Sequence, residues 1–153
     1  MIYVLDDTAA ITKLIGAAFN NAGIHNYKLF NSESVMMEEF TDDVQIVVID
    51  YWLNKKTGVE VLKEVKAVQP LCTPIFISNQ IDIDVVIDIM NAGCNRYIRK
   101  DKDDFLPKLV KHVTEAAIEW DTRLRSTLKA AARINETIAV FENWRKAYEH
   151  AEL

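Results

Sequence analysis

An alternation of two hydrophobic patterns constrains this chain more than any other feature. Five short apolar runs recur: IYVL at 2–5, IHNYKLF at 24–30, VQIVVI at 44–49, PIFIS at 74–78 and NRYIR at 95–99. Between them lie segments with helical spacing, such as Ile11, Leu14, Ile15 and Ala18, or Val59, Val61, Leu62 and Val65. Short strands separated by helix-length crossovers predict βα units and a largely parallel sheet. The third run is apolar on both faces, as a central strand covered by helices must be, whereas the second is mixed and reads as an edge. Gly23, Gly58 and Gly93 fall at element boundaries, where glycine delimits helices.

Half of the 153 residues are apolar, enough for a real core. The net charge of −5 comes without a dense basic cluster, which argues against direct binding of nucleic acid. No apolar stretch is long enough to span a bilayer, and MIYVLDD lacks a basic region followed by a long apolar segment, so no membrane attachment or leader is expected. Cys72 and Cys94 have neither CxxC spacing nor nearby histidine ligands; they read as buried thiols in a reduced cytoplasm.

Open parallel sheets collect function at the carboxyl ends of their strands. Here the first run ends in Asp6 and Asp7, the third in Asp50, the fourth in Ser78 and the fifth in Lys100. Three carboxylates on one edge repel unless a cation intervenes, and an all-oxygen site of this kind suits Mg²⁺, with positions left over for phosphate. A hydroxyl and an ammonium opposite the metal complete a phosphoryl-transfer arrangement. Each residue taken singly also has a structural explanation. Asp7 with Thr8 is a plausible helix cap, Asp50 an Asx turn, Ser78 another cap, and Lys100 a solvated cation.

Taken together, these residues resemble the receiver domain of bacterial two-component response regulators. The resemblance covers roughly residues 1–119. LDD after the first strand is similar to the family's acidic pair. Asp50 lies 43 residues beyond Asp7 and is followed eight residues later by Gly58, as the phosphorylated Asp is in that family. Ser78 matches the family's Ser/Thr, Lys100, 22 residues on, its Lys, and Tyr97 its switch aromatic. The resemblance implies a flavodoxin-like, doubly wound, five-stranded parallel sheet of order 2-1-3-4-5. It implies that Asp50 accepts a phosphoryl group from a histidine kinase or phosphotransfer protein. It also implies that Mg²⁺ is held by Asp7, Asp50 and the Trp52 carbonyl with Asp6 acting through water, and that Ser78 and Lys100 grip the phosphoryl oxygens. Phosphorylation then draws Ser78 inward and lets Tyr97 rotate, reshaping the face around residues 81–119. An ordinary half-buried strand aromatic is the alternative for Tyr97.

The chain departs from the family pattern at Asn54 and Asp101, where proline is common, and at Asn79, where a small residue is usual. A cis bond before a residue other than proline costs roughly 3 kcal/mol, so the loop after Lys100 is expected to be trans. Trp52, Asn79 and Gln80 flank the acceptor and are expected to tune hydrolysis of an acyl phosphate.

After Pro107 there is neither glycine nor proline. A receiver over 1–119 would therefore be followed by a helical extension over 120–153. Its apolar residues fit a heptad, with Ala117, Leu124, Ala131 and Ile138 at one core position and Trp120, Ile134, Phe141 and Tyr148 at the other. Glu119 with Arg123, Asp121 with Arg125 and Glu142 with Lys146 are spaced as i,i+4 pairs. A lone helix from Asp104 to Glu149, roughly 70 Å long, is marginal in water and wants a partner. A parallel coiled-coil homodimer is the first expectation. A break near Arg133 to Glu136 giving a helical hairpin is the second, and a linker stub to an absent output domain the third.

Two other functions compete. A phosphatase of the haloacid dehalogenase type needs D-x-D after its nucleophilic strand, and neither DDTAA nor DYW supplies it. A pseudo-receiver that is never phosphorylated and serves as a dimerising scaffold is the other alternative to a phosphoacceptor.

Overall fold

The computed structural model describes residues 1–79 and 82–151, with side chains as far as Lys146. Five strands, β1 (Ile2–Leu5), β2 (Tyr27–Phe30), β3 (Ile46–Asp50), β4 (Thr73–Ser78) and β5 (Tyr97–Arg99), form one sheet of order β2-β1-β3-β4-β5. Every pairing is parallel. The mixed run is indeed the edge strand β2, but pairing begins only at Tyr27.

The strands alternate between two cores. Ile2, Val4, Ile46, Val48, Ile75 and Ile77 face one side of the sheet, where Ile15 and Phe19 of α1 (Ala9–Asn21) and Phe105, Leu109 and Val113 of α5 (Phe105–Ala151) cover them. Tyr3, Leu5, Val47, Ile49 and Phe76 face the other side. There they meet Met36 of α2 (Glu33–Glu38), Val61, Leu62 and Val65 of α3 (Gly58–Val68), and Val85 and Ile89 of α4 (Ile83–Asn91). This two-sided burial is why the central strands read as continuous apolar runs. The α3 N-terminus carries a full capping box: Glu60 N–H donates to Thr57 Oγ1 at 3.3 Å and Thr57 N–H donates to Glu60 Oε2 at 2.7 Å.

The chain divides into two units, Met1–Ala117 and Ile118–Leu153. The second is helical through Ala151, and the break expected near Arg133 to Glu136 does not occur. The residues there are Arg, Ile, Asn and Glu, with no glycine or proline to end a helix. Leu124, Ile134, Ile138 and Phe141 are exposed, as is Ala131, while Ala117 and Trp120 are half-buried. The Tyr148 side chain lies outside the described residues. Two of the expected ion pairs close, Asp121–Arg125 at 2.8 Å and Glu119–Arg123 at 3.8 Å.

Candidate functional site

Parallel register sets β1, β3, β4 and β5 to finish at one edge, because Leu5 pairs with Ile49, Asp50 with Ile77 and Ser78 with Arg99. One residue beyond these strand ends the chain delivers Asp6 and Lys100, and β3 ends on Asp50 itself. Asp6, Asp7 and Asp50 each bring a carboxylate oxygen within 4.8 Å of the others, a group able to hold a metal ion. Asp7, Thr8, Asp50, Trp52, Asn79 and Lys100 line a cleft of about 430 Å³. Gln80 lies outside the described residues.

Lys100 is the electrostatic centre. Its side chain is almost fully buried, with Nζ 2.7 Å from Asp6 Oδ2 and 2.9 Å from Asp50 Oδ2. Burial alone would lower its pKa, but the two carboxylates outweigh that and raise it, so the ammonium stays charged. Burial raises the Asp50 pKa to about 6 against the opposing pull of Lys100, with Asp6 adding to the rise and the Trp52 N–H to the opposition. Asp6 is wholly buried and both its oxygens are engaged, Oδ2 by Lys100 and Oδ1 by the Thr8 N–H at 2.9 Å. Asp7 is half-buried, and its Oδ1 lies 3.5 Å from the Thr8 hydroxyl.

The capping explanations for these residues do not hold. Thr8 occupies the N-cap of α1 without a side-chain cap bond, and α4 is capped by Asp82, whose side chain accepts from the Asp84 N–H at 3.1 Å. Ser78 is instead fully buried at the end of β4, its carbonyl accepting from the Lys100 N–H at 2.8 Å. The Tyr97 ring is half-buried, its pKa raised by burial, and Ser78 is within hydrogen-bonding reach of its hydroxyl. Trp52 is half exposed on the cleft wall and Asn79 is exposed beside it. No peptide bond among the described residues is cis, and Asp101 pairs with Arg99, Arg99 Nε donating to Asp101 Oδ1 at 2.8 Å.

Gly58 backs the site directly. A Cβ there would stand 2.5 Å from the Asp50 carbonyl oxygen and 2.9 Å from the side chains of Ile49 and Phe76, so only glycine lets α3 start this close to β3. Some features of the site escaped the sequence reading. The Thr8 N–H that orients Asp6 is a backbone group with no residue signature. The Tyr51 hydroxyl, which donates to Asp88 Oδ2 at 3.1 Å, follows from a side-chain reach that spacing does not encode.

Fold and site together define a receiver of the response regulator class, with an acidic cluster and a buried lysine at the carboxyl edge of a five-stranded parallel sheet. The response regulator receiver domain family matches residues 2–113, and the chain belongs to that family, whose members act in two-component signalling. A putative NtrX-like response regulator of Rickettsia typhi is 29% identical over 117 residues, 74% of this chain and 25% of that protein. The chain thus spans about a quarter of the length of this curated relative. A CheY-like receiver domain protein from Methanospirillum hungatei has the same fold, with TM-score 0.68 and 19% identity over 80% of this chain and 96% of that one. The beryllofluoride-activated NtrC4 receiver domain, solved as a dimer, superposes with TM-score 0.62 and 22% identity over 78% of this chain and 97% of that one.

Proposed function

We propose that this chain is a phosphoacceptor, with Asp50 as the acceptor residue of a receiver over residues 1–119 and a helical extension over 120–153. The observation that carries this is the clustering of Asp6, Asp7 and Asp50 within 4.8 Å at a cleft where a buried Lys100 contacts two of the three. Three carboxylates and one ammonium leave a formal charge of −2, which a divalent cation neutralises, and hard oxygen donors fit Mg²⁺. Asp7 and Asp50, with the Trp52 carbonyl, would hold it. Asp6, its oxygens already engaged by Lys100 and the Thr8 N–H, would act through water. When bound, Mg²⁺ offsets negative charge on the phosphoryl oxygens.

In the transfer, an Asp50 carboxylate oxygen attacks the phosphorus of a phosphohistidine on a histidine kinase or phosphotransfer protein. An O–P bond forms, the P–N bond breaks, and the imidazole leaves with that electron pair. Lys100 and Ser78 bind the transferred oxygens. The added charge draws Ser78 toward the acyl phosphate and away from Tyr97, freeing the ring to move. The affected face includes α4, where Ile83, Ile87 and Met90 are exposed. Trp52, Asn79 and Gln80 set how long the acyl phosphate survives.

The exposed residues Leu124, Ile134, Ile138 and Phe141, with Ala117, Trp120, Ala131 and Tyr148 on the same heptad face, form a seam for a second copy of the chain. No helix of the described residues is long and apolar enough to cross a membrane. We assign the chain to the cytoplasm, with proteins rather than nucleic acid as its direct partners.

Intact-mass spectrometry after incubation with Mg²⁺ and a small phosphodonor tests the acceptor. One base-labile phosphoryl group on the wild-type chain and none on Asp50→Ala is the expected result. No modification by the donor or by a histidine kinase would instead make the domain a scaffold that is never phosphorylated.

A further inference from the structure

We propose that Asn31 is a positioning residue for the acidic cluster: its side-chain amide holds the peptide joining Asp6 to Asp7 and thereby sets the affinity of the site for a divalent cation. This rests on the cation-binding role proposed above for Asp7 and Asp50.

Asn31 follows β2 directly. Up to that point β1 and β2 share a main-chain ladder, its last bond running from the Asp6 N–H to the Phe30 carbonyl at 3.2 Å. A continuing parallel ladder would next offer the Asp6 carbonyl an N–H from β2, but the chain turns into α2 at Ser32. The Asn31 side chain takes that place. Its Nδ2 donates to the Asp6 carbonyl at 2.7 Å and to Thr12 Oγ1 at 3.1 Å. A carbonyl can only accept, so the amide nitrogen must face Asp6. Thr12 is buried in α1 and its hydroxyl donates onward to the Ala9 carbonyl at 3.1 Å. One amide therefore ties the end of β2, the loop carrying both acids and the first turn of α1 together.

The two acids differ in how they are held. The Asp6 side chain is fixed by Lys100 and the Thr8 N–H. Asp7, which lines the cleft, depends on the backbone either side of it. That backbone is pinned at the Asp6 carbonyl by Asn31 and at the Thr8 N–H by Asp6. Releasing the first pin loosens Asp7 without removing any ligand. Mg²⁺ demands near-ideal geometry, so such loosening reads out as lost affinity.

The test is calorimetric titration of the full chain with Mg²⁺, alongside thermal unfolding without Mg²⁺. Asp7→Asn and Asp50→Ala identify binding at the cluster. Asn31→Ala is expected to weaken Mg²⁺ roughly tenfold, with the metal-free unfolding midpoint lowered by the two lost hydrogen bonds but still well above the titration temperature, so that the lost affinity is read on folded protein. Asn31→Asp separates charge from donor: a nearby extra carboxylate alone would tighten the cation, whereas loss of the amide donor weakens it. If Asn31→Ala does not fold, Asn31→Asp decides, with weaker binding supporting the role and equal or tighter binding overturning it. Wild-type binding that depends on Asp7 and Asp50 but is unchanged in Asn31→Ala overturns the role of Asn31 alone. A wild-type chain that takes up no Mg²⁺ overturns the cation role of Asp7 and Asp50, and this proposal with it.

Discussion

Residues 1–117 and residues 118–146 use the same hydrophobic vocabulary with opposite outcomes. In the first unit the apolar residues of each central strand are covered on both faces by helices of the same unit, and Val4, Val48, Ile75 and Phe76 are completely buried. In the second, Ile134, Phe141 and Trp144 are each at least 60% exposed although their spacing is as regular. Periodicity dictates an element, but burial needs a counterpart. The charges differ in the same way. Lys100, Asp6 and Asp50 are buried and interlocked, whereas Asp121 and Arg125 meet on an open helix surface. Interactions of the first kind decide the state of the site, and those of the second contribute a few tenths of a kcal/mol.

The largest break in this comparison is a pair of aromatic truncations. Phe76→Ala is expected to cost roughly 3–5 kcal/mol, because it empties a sealed site between Tyr51 and the start of α3. Phe141→Ala is expected to change the stability of the dilute chain by less than about 0.5 kcal/mol. Urea unfolding at low protein concentration measures both, and equal losses would mean that the two units are not distinct in burial.

Asp50→Asn comes next and has the opposite sign. The Asp50 pKa in the folded chain, about 6, lies above the ordinary carboxylate value of roughly 4. The folded state therefore binds the proton more tightly than the unfolded state, and ionised Asp50 opposes folding. That cost grows as pH rises from about 4 to 6 and is complete above 6. The neutral amide of Asp50→Asn is expected to stabilise the chain by up to about 3 kcal/mol at pH 7, with the gain disappearing below about pH 4. Stability curves at several pH values check this. A constant gain across that range would show that the buried charge is not its source.

Smaller again is the expected effect at the seam. Ile134→Asp should raise the dissociation constant for self-association at least tenfold, about 1.4 kcal/mol, in sedimentation equilibrium. A wild-type chain that stays monomeric at high concentration would remove the seam altogether. Smallest is Asp121→Ala, expected to lower stability by about 0.5 kcal/mol or less and to be screened by salt.

Much of the fold was legible because its signals are local. The two-sided apolar run at 44–49 marks a covered central strand, and the polar residue closing each of four strands marks the functional edge. The edge strand was legible only in part. Ile24 to Asn26 read as part of the same mixed run, yet pairing begins at Tyr27, a boundary set by its β1 neighbour rather than by its own sequence. The same reason hid Asn31, whose partners stand 25 and 19 residues away in sequence. The hairpin alternative at Arg133 to Glu136 failed because nothing there breaks a helix: the segment has neither glycine nor proline, and α5 runs through it. Side chains decide the seam, whereas glycine or proline decides the end.

The lysine between the acids bears on the order of events in the life of this protein. Many metal sites are assembled by their metal and fall apart without it. Here Lys100 supplies an internal counter-ion to Asp6 and Asp50, which offsets part of the cluster's charge before any external cation binds. On the proposed reading, folding and loading are separable steps: the chain would mature with Asp50 already held at the cleft, and a divalent ion would arm the site without building it.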